Sequence, residues 1–308
     1  MKINRRQFLG LAGAGLGTAF TSGLKKARGA KPPGISRDAV GVLVDTTLCI
    51  GCRKCEQACA ERHKLPDRSF EDMTVLDRPR RPDEGAYTVV NKYHPDPGAS
   101  ESATFVKFQC MHCVDPACAS ACITGALSKQ KSGPVTYDPN KCIGCRYCMV
   151  ACPFEIPAYE YHRALVPKVR KCTLCFEYIS KLPRDKGGLP ACAQVCPMEV
   201  MTFGKRSNLL ELARWKIKNN PGKYVDHIFG EHEVGGTSWL YLASHPFEKL
   251  GFPNLGAKAP PRLTESIQHA VFQGFLPPLA LFGILGGFMW LTGRKKETNG
   301  KNRQEDDQ

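Results

Sequence analysis

The sixteen cysteines constrain this 308-residue chain more than any other feature, because they fall into four compact groups of four. Cys49, Cys52, Cys55 and Cys59 are spaced C-x2-C-x2-C-x3-C. Cys110, Cys113, Cys118 and Cys122 follow as C-x2-C-x4-C-x3-C. Cys142, Cys145, Cys148 and Cys152 repeat the first spacing and are followed by Pro153. Cys172 and Cys175 precede Cys192 and Cys196, with Pro197 next. Disulfide-dense scaffolds are short chains that cannot bury enough core. A long chain that is 42% hydrophobic has no such need. Thiols gathered in short windows are what metal chelation requires.

The spacing points to iron–sulfur cubes. In C-x2-C-x2-C the backbone wraps one corner of a cube, so three thiolates reach three irons. The fourth cysteine does not easily turn back to the same cube, and in two-cluster ferredoxins it ligates the other cluster. Gly51 and Gly144 let the main chain approach the sulfides closely. Zinc is satisfied by two CxxC pairs, whereas four close ligands ending in C-x3-C-P are not a zinc pattern. A zinc-bound scaffold protein is the competing reading from another class, separable by metal analysis.

The chain carries an internal repeat. Residues 49–59 (CIGCRKCEQAC) match 142–152 (CIGCRYCMVAC) at an offset of 93. Each copy follows a strand-like stretch ending in Asp, Val42–Asp45 and Val135–Asp138. The tails 117–122 and 191–196 also match, and each precedes a possible strand, Ala126–Ser128 and Val200–Phe203. This is duplication of a small cluster-binding unit. Residues 61–108 read as an insertion with a hairpin, Thr88–Tyr93 and Thr104–Gln109. Ser207–Lys218 reads as an amphipathic helix, and Gly251–Pro261 as an extended arm to the membrane. His112 lies inside a quartet that is already complete, so it takes a supporting or surface role. Phe154, Tyr147 and Phe176 are expected to shield cubes from water, and His269 to pack at a membrane boundary.

The formal charge of +14 needs sorting by segment. Six basic residues and no acid lie in residues 1–30, and the tail after Gly293 has five basic against four acidic residues. Four thiolate-ligated cubes add about −8, which brings the middle of the chain near neutrality. Net charge therefore gives no support to nucleic-acid binding. Arg5-Arg6-Gln7-Phe8 before an uncharged Gly/Ala/Leu-rich stretch reads as a Tat export signal over 1–30. Ala270 to Gly293 carries no charge over 24 residues. As a helix it would be roughly 36 Å long, enough to span a bilayer. Pro277 and Pro278 lie inside it, tolerated there or marking its entry. Arg294, Lys295 and Lys296 then put the tail, 294–308, in the cytoplasm.

The four quartets, with Gln109-Cys110-Met111-His112-Cys113-Val114-Asp115-Pro116, Asp185-Lys186-Gly187-Gly188-Leu189-Pro190 and Ser266-Ile267-Gln268-His269, resemble a known family over nearly the whole chain. It is the four-cluster ferredoxin-type subunits of membrane-bound oxidoreductases, such as dimethyl sulfoxide reductase and formate dehydrogenase. The nearest resemblance is to the subunit of hydrogenase-2-type uptake hydrogenases. Ile123, where many relatives have Pro, departs from the pattern without touching the ligands. The resemblance implies an α+β fold of two tandem ferredoxin-like modules over about Val40–Gly204, within a cluster domain over 31–206. An extension over 207–269 and a transmembrane helix over 270–293 would follow. It implies four [4Fe–4S] clusters with crossed ligands: Cys49, Cys52, Cys55 with Cys196; Cys172, Cys175, Cys192 with Cys59; Cys110, Cys113, Cys118 with Cys152; and Cys142, Cys145, Cys148 with Cys122. It implies no catalytic centre, and electron transfer on the periplasmic face of the membrane. The partners would be a [NiFe] hydrogenase and a multi-span, quinone-reactive membrane subunit. A molybdenum or tungsten enzyme such as formate dehydrogenase is the alternative partner.

Overall fold

Val40–Asp45 (β1) reads VGVLVD, and a strand with two apolar faces belongs in the middle of a sheet. In the computed structural model it is buried along its whole length and is central in a three-stranded sheet. Residues 36, 39–96, 103–163, 167–181, 188–261 and 281–292 are described. The later strands are Thr88–Tyr93 (β2), Thr104–Gln109 (β3), Leu127–Lys129 (β4), Val135–Tyr137 (β5), Ala158–Tyr159 (β6), Val169–Arg170 (β7), Met201–Lys205 (β8) and Trp239–Leu242 (β9). The helices are Lys54–His63 (α1), Ala117–Ser120 (α2), Tyr147–Ala151 (α3), Phe176–Ile179 (α4), Ala191–Gln194 (α5) and Arg206–Asn219 (α6).

The sheet order is β8-β1-β9, antiparallel on the first side and parallel on the second. Gly41 permits the parallel pairing, because a Cβ there would stand 2.4 Å from the carbonyl oxygen of Ser238. Leu209, Leu210 and Ala213 form the apolar stripe of α6 and pack on Leu43, Leu240 and Leu242. On the other side Val42, Val44, Trp239 and Tyr241 join Phe229, Phe247 and Phe252 in the main core. The hairpin is found at its expected residues, with Val90 opposite Lys107 and Thr88 opposite Gln109. β4 pairs with β5, and β6 with β7, as short antiparallel ladders.

Two features differ from the sequence reading. The segment after residue 206 supplies β9, so it completes the central sheet within a unit that spans Pro33–Pro261. Gly251–Pro261, expected to be an extended arm, lies against that unit. Phe252 stacks within 4.5 Å of Phe229 and 4.9 Å of Tyr241, Ala259 is buried, and Val234 donates to the Gly256 carbonyl. Burying one such ring contributes about 2 kcal/mol, which favours docking over extension into water.

A second unit comprises Met1–Pro32 and Arg262–Gln308. The expected export signal and His269 lie outside the described residues, as does half of the expected span 270–293. Residues 281–292 are helical and expose Phe282, Phe288, Met289 and Trp290. Among the described residues no helix is long and apolar enough to cross a membrane.

Candidate metal centres

The two repeated cysteine runs follow one local path. Asp45 accepts from the Thr47 N–H and Asp138 from the Asn140 N–H, each opening a short 3-10 turn that ends at Cys49 or Cys142. Gly51 and Gly144 both sit at φ +73°, a left-handed position that costs glycine nothing. Arg53 (φ 58°) and Arg146 (φ 62°) are left-handed too and cap α1 and α3. The third cysteine of each run, Cys55 or Cys148, then lies in the first turn of its helix. The copies differ in surroundings. The Arg53 side chain is buried against Glu56 at 3.1 Å, whereas Arg146 is exposed over the rings of Tyr159 and Tyr161.

The thiols fall into four neighbourhoods. Cys49, Cys52, Cys55 and Cys196 line one concavity of about 390 Å³, together with Lys107, Pro197, Met198 and Met201. Burial pushes the Cys49 thiol up to about 11, and Cys196 and Cys52 push the same way. Burial raises Cys59 well above the ordinary thiol value, with Cys172, Cys192 and Cys175 adding to it. Cys113 is raised by burial and by Cys118, Cys152 and Cys110. Cys148 is pushed up to about 11 by burial and by Cys122, Cys142 and Cys145. Cys122 is the exception. Burial raises it, but the Leu127 N–H, the Thr124 hydroxyl and the Ala126 and Thr124 N–H groups outweigh that and lower it.

The neighbourhoods also adjoin one another, each within electrostatic reach of the next. Cys55 faces Cys192 of the second, Cys172 faces Cys110 of the third, and Cys118 faces Cys148 of the fourth. They therefore form one row through the unit.

This donor set fits a polynuclear cationic core. Several thiolates brought together in a buried place repel one another unless a bound cation offsets their charge. A structural zinc ion holds its four sulfurs about 2.3 Å from one point. Among the described residues no three His, Cys, Asp or Glu side chains converge in that way. The thiols of Cys49, Cys52, Cys55 and Cys196 instead line the walls of a larger concavity.

His112 is fully buried, and its Nδ1 accepts from the Val135 N–H at 2.9 Å. Burial, then Lys171 and Lys129, push its pKa well below the ordinary value, so the ring is neutral. Phe154 packs against Cys59, Cys110 and Cys172, as a shielding ring should. Tyr147 is 55% exposed and shields little, and Phe176 is half-buried. Sequence reasoning missed two buried lysines, Lys107 and Lys171, and a half-buried one, Lys129. Lys107 faces Cys192, Cys55 and Cys172; Lys129 faces Cys113 and Cys110; and Lys171 faces Cys118. Lys107 alone has a local signal, a lysine inside the apolar stretch Phe105-Val106-Lys107-Phe108; Lys129 and Lys171 sit among polar or charged neighbours.

Residues 102–206 match the family model of the 4Fe-4S dicluster domain. A protein of Nitratidesulfovibrio vulgaris is 45% identical over 311 residues, 98% of this chain and 80% of that one. The hydrogenase-2 operon protein HybA of Escherichia coli O157:H7 is 34% identical, across 99% of this chain and 98% of its own. The iron–sulfur subunit of the nitrate-inducible formate dehydrogenase of Escherichia coli K12 is 32% identical, across 84% and 86%. With its mixed helix and sheet content and its repeated cysteine runs, the chain belongs to the family of ferredoxin-like iron–sulfur electron-transfer subunits that includes HybA and the formate dehydrogenase iron–sulfur subunits.

Proposed function

We propose that this chain relays electrons through four [4Fe–4S] clusters held in crossed cysteine sets, between a periplasmic [NiFe] hydrogenase and a quinone-reactive membrane subunit. The carrying observation is the row of four thiol neighbourhoods. Cys49, Cys52 and Cys55 share a concavity with Cys196, a residue far away in sequence. Cys59 sits with Cys172, Cys175 and Cys192; Cys152 with Cys110, Cys113 and Cys118; and Cys122 with Cys142, Cys145 and Cys148. A bound [4Fe–4S] cube takes up and gives up one electron at a time. The chain's own part is to hold four such sites in sequence, keep water from them, and set the charge around each. The residues named here in the sites are all structural or electrostatic; no nucleophile or acid–base group is required.

The hydrogenase reading rests on likeness to HybA along nearly the full length of both chains. The formate dehydrogenase likeness is almost as strong, so a molybdenum or tungsten enzyme is the second reading. Arg5-Arg6 supports export of the folded protein, and 270–293 supports a single anchor with the tail in the cytoplasm. The two ferredoxin-like modules would lie within 31–206, related by the repeat.

Iron, sulfide and zinc analysis of anaerobically purified protein tests the cofactor content, with four cubes expected. The crossing has its own test. Cys52→Ser and Cys196→Ser should each remove one set of cluster signals, and the double variant should lose no more than either single. Cys192→Ser combined with Cys52→Ser should lose two sets. Additive loss from Cys52→Ser and Cys196→Ser would refute the crossing. Co-purification from the native membrane with a hydrogenase, or instead with a molybdenum enzyme, decides the partner.

A further inference from the structure

Lysine is almost never fully buried unless it is paired. Lys107 is 3% exposed. Its Nζ donates to a neutral amide, Gln109 Oε1, at 2.7 Å and lies 4.4 Å from the centre of the Trp239 ring. None of the ion pairs among the described residues includes it. The support around it is neutral as well. Gln109 donates to the Tyr241 hydroxyl at 2.6 Å, and that hydroxyl donates to the Lys107 carbonyl at 2.8 Å. An ammonium group in such a place is costly unless a counter-charge reaches it.

The groups that offset its charge through space are cysteine sulfurs, those of Cys192, Cys55 and Cys172 foremost. Lys107 lines the concavity of Cys49, Cys52, Cys55 and Cys196, and it also faces Cys192 and Cys172 of the neighbouring site. It therefore stands at the junction of the first two sites in the row. A buried positive charge is little screened by salt. It favours whichever form of a neighbouring group is more negative. A thiolate-ligated cube goes from about −2 to about −3 when it accepts one electron, with no proton required.

We propose that Lys107 is a fixed cation that raises the reduction potentials of the two clusters flanking it, those at Cys49/Cys52/Cys55/Cys196 and at Cys59/Cys172/Cys175/Cys192. The proposal rests on the crossed ligand sets given above. Lys107 is a positioning residue in this sense: it touches no substrate and acts through the charge it places between two electron carriers.

The test is an EPR-monitored redox titration with dithionite of the full-length protein, purified anaerobically. Wild type, Lys107→Met, Lys107→Arg and Lys129→Met are compared, each first assayed for iron and sulfide. In Lys107→Met two of the four midpoints should fall, changing the oxidised-to-reduced ratio about tenfold at fixed potential, which is about 59 mV for one electron. Lys107→Arg should bring both back towards wild type. Lys129, which faces Cys110 and Cys113, should leave those two midpoints in place when replaced by Met. If Lys107→Met does not retain its iron, Lys107→Gln is read in the same way. Midpoints that stay put in a fully loaded neutral variant, or that all fall equally, overturn the proposal. Wild-type iron and sulfide far below four cubes overturn the ligand sets beneath it, and the proposal with them.

Discussion

Glu56 is one carboxylate serving two guanidinium groups and a backbone amide. Arg53 reaches it at 3.1 Å, Arg80 at 2.6 Å, and the Val90 N–H donates to it at 2.6 Å. Its side chain is 3% exposed and that of Arg53 is 1% exposed. Removing one partner of a buried pair leaves an uncompensated charge, at a cost of about 3–5 kcal/mol. Glu56→Gln should destabilise the protein by that order in equilibrium urea unfolding, and Arg53→Met in the same background should recover part of it. A loss under about 1 kcal/mol would mean that solvent reaches the pair. Nothing in the sequence marks Arg53 and Glu56 as a buried pair. Burial comes from Arg80 and β2, which belong to the insertion and leave no trace in the local pattern. The same blindness applies to Lys107, whose counter-charges come from cysteines remote in the chain.

At the scale of elements, the two cysteine runs offer a matched experiment. Gly51 and Gly144 share φ +73°, so alanine at either position pays the left-handed penalty of about 1 kcal/mol. Their neighbours differ. A Cβ at Gly51 would stand 2.4 Å from the Phe105 ring in β3, whereas one at Gly144 would meet the Tyr159 hydroxyl at 2.8 Å. Tyr159 can swing its tip away, but Phe105 is held in the hairpin. Gly51→Ala should therefore lower the melting temperature, followed by loss of cluster absorbance, clearly more than Gly144→Ala. Equal shifts would show that the backbone term alone matters. The hairpin and α6 were legible because alternation and a helical stripe mark them, and the strand-like stretches ending at Asp45 and Asp138 because the repeat doubles the signal. β9 was not legible. Trp239–Leu242 is a short apolar run without a period, and its partner β1 lies nearly two hundred residues away.

At the scale of the molecule, the central sheet ties both ends of the 33–261 unit together. A fragment ending at residue 206 would keep every cysteine yet lose β9 and the parallel edge of β1, with the buried Trp239, Leu240, Tyr241 and Leu242. It should fail to retain iron when expressed, while a fragment covering 33–261 should retain it. Comparable iron content in the two fragments would show that the cluster groups fold without the sheet.

That sheet also sets a clock. β1 is the first strand in the described chain, but it finds its antiparallel partner only at Met201–Lys205 and its parallel one only at Trp239–Leu242. At about 5–20 residues per second on the ribosome, β1 emerges on the order of ten seconds before either partner exists. For that interval a six-residue strand, apolar on both faces, has nothing of its own to pair with. The nascent chain therefore carries its central strand unpaired until the last strand arrives.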